Sequence, residues 1–254
     1  MRVEADKMMS TAWLLVYLIP IFVAIVGILS FLFMIMAATF VPPVPPGPPY
    51  APGPPVVPMW VGWILMLVCL GIIGFVVSII LRYKLVDRRN RHFKRQLLLF
   101  EDVVDVVRTI ATKKDIDVEA GLSSCERTVR EAKAEETEKS AVLWAILSAI
   151  IFLAEWYVSY FLMKDFYKHE RREDGFLEDV SKVLGKCGIT FSLPRRTVVL
   201  PDRSFVLYLI LTIITLGLFG IYWLYILLKD PNEHFKHHIL VEDQLFGQLE
   251  SLAI

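Results

Sequence analysis

The sequence predicts an all-α, polytopic membrane protein: four transmembrane helices form two tandem hairpins, and a cytoplasmic helical hairpin lies between them. Hydrophobic residues make up 56% of the 254 residues, and the mean hydropathy is +0.54, both above the usage of soluble globular domains. Four apolar runs are long enough to cross a hydrocarbon core, which takes roughly 20 helical residues. These predicted spans are 11–40, 59–81, 141–163 and 205–228.

The first predicted domain, 1–81, is a two-span hairpin with a proline-rich loop. Run 11–40 is too long for a secretory signal, and prolines follow it instead of a small-residue cleavage site. Loop 41–58 carries no charge, so we expect it on the outer face. Its PxxP spacing suits a stiff polyproline II spacer or a ligand for a proline-binding domain, and an external position favours the spacer.

Basic residues set the predicted orientation. A dense cluster directly follows the second span, and the positive-inside bias places that end in the cytoplasm. The cluster consists of Arg82, Lys84, Arg88, Arg89, Arg91, Lys94 and Arg95. Alternating spans then place both termini in the cytoplasm of a multi-pass plasma-membrane protein. One feature resists this scheme, because four basic residues fall on the predicted outer side: Lys164, Lys168, Arg171 and Arg172.

Three further domains follow the first hairpin. Segment 82–139 is predicted as the cytoplasmic charged hairpin, with Gly121 marking its turn and a capping box at 123–126 (SSCE) starting the return helix. Segment 140–228 is predicted as the second two-span hairpin, with an outer amphipathic stretch, and 229–254 as a cytoplasmic interfacial helix. The amphipathic stretch carries apolar residues at helical spacing: Phe176, Leu177, Val180, Val183 and Leu184.

An internal repeat closes the second and fourth spans. Asn90, His92, Phe93 and Lys94 align with Asn232, His234, Phe235 and Lys236. Each span also carries two glycines one turn apart, Gly71 with Gly74 and Gly217 with Gly220. The repeat indicates duplication of a two-span unit that ends in a cytoplasmic interfacial helix. A third similar stretch, 163–179 (MKDFYKHERREDGFLED), is interpreted as chance, because alternation places it on the opposite face and a true copy would require a re-entrant third run.

The segment TIITLGLFGIYWLYILLKDPNEHF, residues 212–235, resembles a family of small prokaryotic membrane domains catalogued as domain of unknown function 4234. Spans of that family similarly carry a Thr, one or more Gly, an aromatic cluster ending in Trp-Leu-Tyr, and a polar exit with Asn. The resemblance covers roughly the last fifty residues and implies a membrane fold. It implies no active site, because the family has no assigned activity.

Candidate functional residues each have a structural alternative. Glu155 inside the third span predicts an ion or proton path, or else a carboxylate that snorkels to the headgroups or is protonated. The four glycines predict close helix packing. His234, His237 and His238 could form a metal pair, but interfacial lipid contact is favoured, so no metal or cofactor is predicted. The expected lipid contacts are His92, Phe93, Lys94, His234, Phe235 and Lys236.

The function predicted from these features is non-enzymatic. The sequence carries no nucleophile elbow, zincin or phosphate-loop motif, and a formal net charge of zero gives no general attraction to nucleic acid. The three cysteines, Cys69, Cys125 and Cys187, lack the spacing of a disulfide framework or a zinc site. We expect a structural or assembly component that contacts membrane lipids and associates laterally, as a homo-oligomer or with another membrane complex. The alternatives are a small transporter or channel using Glu155, and a sensor using the cytoplasmic hairpin.

Overall fold

The computed structural model describes residues 2–40 and 59–250, and the residues in these two ranges form helices and connecting segments without any β-strand. The all-α class predicted from the sequence is therefore confirmed. The proline-rich loop 41–58 lies outside the described residues. The described helices are α1 (Arg2–Ala5), a 3₁₀ turn (Thr11–Trp13), α2 (Leu14–Phe40), α3 (Met59–Lys113), α4 (Glu119–Glu135), α5 (Ala141–Ile150), α6 (Phe152–Lys186), α7 (Phe205–Ile214) and α8 (Leu218–Glu250).

The chain divides into two compact units. One unit is Ala12–Ile80 and contains α2 with the apolar first part of α3. Within it the two helices approach closely at Gly27, where a Cβ atom would lie 3.6 Å from Leu67 Cδ1. Across the described ranges, one helix, α3, is long and apolar enough to cross a membrane when judged by length and composition. The other unit is Met1–Thr11 with Leu81–Ile254.

The third apolar run is not one helix. Ile151 has extended backbone angles (φ −112°, ψ 109°) and separates α5 from α6. The chain reverses here, because the rings of Trp144 and Tyr157 lie 4.8 Å apart and Lys139 Nζ lies 3.9 Å from Asp165 Oδ2. No Gly or Pro marks the break; adjacent β-branched Ile150 and Ile151 favour extended backbone over helix. The expectation of one continuous helix over 141–163 is therefore wrong.

The fourth apolar run is also divided between two helices. Leu216 and Gly217 between α7 and α8 have positive φ values of 50° and 92°. Thr215, which ends α7, also stabilises the start of α8, since its hydroxyl oxygen accepts the Phe219 N–H at 2.9 Å. The chain reverses again: the rings of Tyr208 and Trp223 lie 5.6 Å apart. The expectation of one continuous helix over 205–228 is wrong as well, and Gly217 serves the turn.

The charged segment 82–139 does form a helical hairpin. α3 runs to Lys113, and α4 returns along it, with Arg108 paired to Glu126 and Lys133 paired to Glu101. The predicted capping box is not used, because α4 begins at Glu119, whose N–H donates to Asp117 Oδ1 at 3.0 Å. Gly121 does not mark the turn either. It lies in α4 where a Cβ atom would come within 2.4 Å of Val183 Cγ2, so it permits close approach of α4 to α6.

One hydrophobic core joins α3, α4, α6 and α8. The rings of Phe100 on α3 and Phe176 on α6 stack with centroids 4.0 Å apart, and Leu122 on α4 and Leu245 on α8 join them. The amphipathic stretch predicted for the outer face is buried in this core: Phe176, Leu177, Val180, Val183 and Leu184. It therefore packs directly against the helical hairpin that was predicted on the opposite face.

Candidate functional site

Three buried histidines converge where α3, α6 and α8 meet. His92 Nε2 lies 3.1 Å from His169 Nε2 and 3.0 Å from His234 Nε2. The ligand atoms of all three rings lie within 4.8 Å of one another, and each residue is at most 1% exposed. This histidine triad brings together residues that are far apart in the chain, one from each long helix of the unit.

Helical periodicity explains how polar side chains enter an apolar interior. On each long helix a polar residue replaces an apolar one along the core-facing stripe, so burial of the neighbouring turns carries it inside. On α3, His92 and Gln96 lie between Leu85 and Phe100, and all four are buried. The stripe on α6 runs Phe166, His169, Glu173, Phe176 and Val180, and the stripe on α8 runs Leu227, His234, His238, Val241 and Leu245.

Each ring of the histidine triad has its Nδ1 atom on a carboxylate. His92 Nδ1 lies 2.6 Å from Asp6 Oδ1, and His169 Nδ1 lies 2.9 Å from Glu136 Oε1. His234 Nδ1 lies 3.3 Å from Glu170 Oε2. A carboxylate accepts hydrogen bonds, so each ring donates from Nδ1, and an imidazole that carries its single proton there keeps its lone pair on Nε2. The three Nε2 atoms lie together at the centre of the triad.

The pKa values of the rings favour the same assignment. Burial lowers the pKa of His92 to about 3, although the hydrogen bond to Asp6 opposes this shift. Burial also lowers the pKa of His234 well below its ordinary value, and the neighbouring imidazoles add to that effect. Both rings are neutral near pH 7, because removing a charged imidazolium from water is costly.

The supporting carboxylates favour the charged form to different extents. Burial raises the pKa of Asp6, but hydrogen bonds from His238 and His92 outweigh it, so the pKa lies below its ordinary value. The pKa of Glu136 is also lowered, because His169 outweighs the effect of burial. Burial raises the pKa of Glu170, while the Leu200 N–H, at 2.7 Å from Glu170 Oε1, favours its charged form.

A second layer of charged groups surrounds the histidine triad. Arg196 reaches in from the segment after α6 and contacts Glu170 Oε2 at 3.0 Å and Glu173 Oε2 at 3.2 Å. Glu173 Oε2 also lies 3.7 Å from His234 Nε2. Glu173 thus lies next to the triad but accepts no hydrogen bond from any of the three Nδ1 atoms. Its carboxylate remains able to interact with a group bound by the Nε2 atoms.

The predicted lipid contacts divide into buried and exposed residues. His92, Phe93, His234 and Phe235 are at most 2% exposed and cannot contact lipid. Phe93 stacks on His169 with ring centroids 4.3 Å apart, and Phe235 lies 4.6 Å from His92. Both aromatic rings therefore line the triad. The remaining two residues, Lys94 and Lys236, are exposed as a lipid contact would require.

The other predicted site residues lie away from the triad. Glu155 stands in the first turn of α6 and pairs with Arg82 on α3, directly after the second apolar run. A Cβ atom at Gly71 or at Gly217 would meet none of the described residues within 4 Å, so neither glycine is needed for packing against that part of the chain. His237 and His238 share a helix with His234, but neither provides an atom of the triad.

A third copy of the repeat explains the position of His169. Asp165 and His169 on α6 have the same spacing as Asp230 and His234 on α8, and Lys139 and Arg203 contact the two aspartates in the same way. The stretch at 163–179 is therefore equivalent to the exit of the fourth run, and its interpretation as chance is wrong. The chain reversal that a true copy requires is present, since α5 folds back on α6.

A sequence signal for this copy exists before each short helix. Residues 139–144, KSAVLW, align with residues 203–208, RSFVLY. The serine of each copy caps its helix, with Ser140 Oγ accepting the Leu143 N–H and Ser204 Oγ accepting the Leu207 N–H, both at 3.3 Å. The alignment centred on histidine and phenylalanine misses this relationship, because Glu170 replaces the phenylalanine. Asp6, Glu136, Glu170 and Glu173 carry no local signal of a site.

Comparison with known families identifies one stretch of this unit. The sequence profile of a family described as Domain of unknown function (DUF4234) matches residues 203–247. The match contains α7, the turn at Leu216–Gly217 and most of α8, and so confirms the resemblance drawn from the segment 212–235. No curated protein and no solved structure matches the chain. The C-terminal hairpin with His234 is thus the part of this protein that resembles a family of unknown function.

Proposed function

We propose that this chain is a non-enzymatic integral membrane protein with a structural or assembly role, and that its hairpins α5–α6 and α7–α8 enter the membrane from one side without crossing it. The observation that carries this proposal is the exposure of apolar side chains at both hairpin tips. Exposed fractions are 69% for Ile150, 68% for Phe152, 71% for Ile214 and 95% for Leu216.

The length of the short helices supports re-entry. α5 and α7 each contain 10 residues, which at 1.5 Å per residue reach about 15 Å, half of a hydrocarbon core. An apolar helix of that length is usually buried in a protein core, re-entrant or interfacial. Both helices expose large apolar residues, among them Val142, Leu143, Val206 and Leu207. Contact with lipid removes that apolar surface from water.

The shared core of α3, α4, α6 and α8 supports placement of their distal ends on one side. Segments that pack in a single core lie on the same face of a membrane, so residues 165–204 belong with the helical hairpin 82–139. Lys164 and Arg171, which conflicted with alternating spans, then join the basic cluster after residue 81, and the positive-inside bias assigns this face to the cytoplasm. The contact of Asp6 with His92 supports the same face for the N-terminal segment.

Aromatic residues support the depth of the hairpins. Tyr157 and Tyr160 on α6, and Tyr208 and Tyr222 on α7 and α8, lie between the apolar tips and the charged necks. Tyrosine and tryptophan are enriched at the boundary between lipid and water. The ends of the hairpins away from the tips carry ion pairs, Lys139 with Asp165 and Arg203 with Asp230. Each hairpin thus changes from apolar to aromatic to charged along one direction.

The pairing of Glu155 supports a structural role over the transporter alternative. Arg82 and Glu155 have side-chain exposures of 8% and 22%, and their ion pair joins α3 to the first turn of α6. A charged pair held between two helices stabilises their arrangement, whereas a transport carboxylate must be free to exchange its partner. We expect lateral association to bury part of the apolar surface that each of the two compact units exposes.

Site-directed labelling tests the topology directly. Single cysteines are placed at Leu216, at Phe152 and, as a water-exposed control, at Lys182, in a Cys69→Ala background that removes the exposed native thiol. We expect an impermeant maleimide to label the Lys182 position from the cytoplasmic face alone and to leave both tips unlabelled from either face. In a separate measurement, brominated lipid should quench a fluorophore attached at either tip. Labelling of a tip from the opposite face would show that the hairpin crosses the membrane, and labelling of a tip from the same face as the Lys182 position would show that the tip lies in water. Either result overturns the proposal.

A further inference from the structure

The contacts among the three Nε2 atoms need a positive charge between them. With each Nδ1–H donated to a carboxylate, the Nε2 atoms of His92, His169 and His234 carry lone pairs and cannot donate to one another. The His92 Nε2 lone pair therefore repels that of His169, at an Nε2–Nε2 distance of 3.1 Å, and that of His234, at 3.0 Å. A buried arrangement of this kind is stable when a cation accepts the lone pairs.

We propose that His92, His169 and His234 bind one divalent transition-metal ion of the zinc class through their Nε2 atoms, with the carboxylate of Glu173 as the fourth ligand. The donor set decides the class of ion. Imidazole nitrogen suits Zn²⁺ and its first-row neighbours, whereas Mg²⁺ and Ca²⁺ prefer sets composed of oxygen. This inference rests on the geometry of the site where α3, α6 and α8 meet. It stands whether or not the hairpins enter lipid.

The distances fit such an ion. Zinc binds histidine nitrogen at about 2.0–2.1 Å, which in tetrahedral geometry places two ligand nitrogens about 3.3 Å apart. The Nε2 atom of His92 lies 3.1 Å from that of His169 and 3.0 Å from that of His234, both close to that value. Glu173 Oε2 lies 3.7 Å from His234 Nε2 and 3.2 Å from Arg196 Nη2, so it would reach the fourth position by a change of its side-chain torsions that loosens the contact with Arg196.

The groups behind the ligands are those that metal sites use. A histidine that binds a metal ordinarily donates its second ring nitrogen to a carboxylate or carbonyl, which fixes the ring and raises its basicity. Here Asp6, Glu136 and Glu170 serve the three rings separately. Phe93 and Phe235 pack against the rings and exclude water. Three ligands with three independent supports are a built site, beyond what a chance contact of buried histidines provides.

The location gives the ion a structural role. Its ligands come from α3, α6 and α8, and the carboxylates of Asp6 and Glu136 add the N-terminal segment and the end of α4. All three histidines and Glu173 are at most 1% exposed, so a substrate has no route to an open coordination position. Four protein ligands around a buried ion are typical of structural zinc. The ion would hold together helices that belong to three copies of the repeat.

Metal analysis of the full-length chain in detergent, purified without a histidine tag, tests the proposal. The protein is stripped with a chelator, checked for helical content by circular dichroism, and titrated with Co²⁺, whose visible spectrum reports the ligand number. We expect one Co²⁺ per chain with a four-coordinate nitrogen and oxygen spectrum, and displacement of Co²⁺ by Zn²⁺. A stripped protein that keeps its helical content and binds no Co²⁺ overturns the proposal.

Variants assign the ligands. His92→Gln, His169→Gln and His234→Gln should each abolish the spectrum, while His237→Ala, on the same helix as His234 but outside the triad, should keep full stoichiometry. Glu173→Gln should retain the ion and shift the spectrum, because one charged ligand is replaced by a neutral one. Where a histidine variant fails to fold, the chelated and reloaded wild-type protein decides the question by itself. Equal loss of the ion in His237→Ala and His234→Gln would overturn the assignment.

Discussion

His92 and His234 face each other through their Nε2 atoms at 3.0 Å, although 142 residues separate them in the chain. They occupy equivalent positions in two copies of a repeat, and His169 supplies the third copy 3.1 Å from His92. Neighbouring residues repeat their roles too. Asn90 exchanges two hydrogen bonds with the main chain of Lys139, and Asn232 does so with Met9. Repetition of a short motif has thus placed three imidazoles around one point.

A bound ion should stabilise the fold. Zn²⁺ at a free concentration 100-fold above its Kd contributes about 2.7 kcal/mol. For a chain of this length that corresponds to a rise in Tm of roughly 5–10 °C. The measurement is thermal unfolding of the chelated protein with and without added Zn²⁺. The His234→Gln variant is the control, and an equal rise in that variant would assign the effect to other sites.

The carboxylate behind His169 should tune metal affinity. Arg172 contacts both Glu135 and Glu136, but Glu136 also accepts the His169 Nδ1–H, whereas Glu135 is largely exposed. Glu136→Gln should weaken Co²⁺ binding about 10–100-fold, as expected for loss of a group that orients a ligand. Glu135→Gln is the matched control and should leave the affinity unchanged. Titration followed by visible absorption measures both, and equal affinities for the two variants would refute the role of Glu136.

Gly217 should be sensitive to any side chain. Its φ of 92° lies where a Cβ atom strains the backbone, although the surrounding space is open. Gly217→Ala should destabilise the protein by roughly 1–2 kcal/mol, while Gly71→Ala, in a helix with equally open space, should not lower stability. Denaturant unfolding in detergent measures both. Leucine at Gly217 would disturb the turn as well as any lateral contact. Lateral association is therefore better tested with Gly71→Leu than with Gly217→Leu.

Close approach of α4 and α6 at Gly121 should show as energetic coupling. A Cβ atom there would lie 2.4 Å from Val183 Cγ2, and valine is stiff about χ1, so Gly121→Ala should cost about 1–3 kcal/mol. Val183→Ala opens a small cavity and is destabilising alone. The double variant should be more stable than the sum of the two single effects, because the removed methyl relieves the clash. Strict additivity would mean that the helices do not touch at Gly121.

Glu155→Gln separates the structural role from the transporter alternative. Loss of the carboxylate leaves the buried Arg82 guanidinium without that partner, so the free energy of unfolding should fall by roughly 1–3 kcal/mol. Glu178→Gln, at an exposed pair with Lys182, is the control and should have little effect. Unchanged stability in Glu155→Gln, together with loss of ion flux in proteoliposomes, would favour the transporter.

The sequence predicts helices well here and their reversals poorly. Apolar periodicity locates the buried faces at Phe100 and Phe176, and the repeat identifies His92 and His234. The break at Ile151 has no Gly or Pro, so a 23-residue apolar run reads as one span. That error separates residues 165–204 from the helical hairpin 82–139, against which they pack, and makes the repeat at His169 look accidental. Asp6 and Glu136 join the site through tertiary contacts alone, which a local pattern cannot reveal.

X-ray absorption at the metal edge of the reloaded, full-length protein tests the central claim most directly. The account predicts one ion per chain, with a first shell of three imidazole nitrogens at about 2.0–2.1 Å and one carboxylate oxygen. Multiple-scattering features of the imidazole rings should accompany that shell and disappear in the His92→Gln variant. A first shell of water and carboxylate oxygen alone, or a protein that retains no ion after reloading while fully folded, would contradict the account.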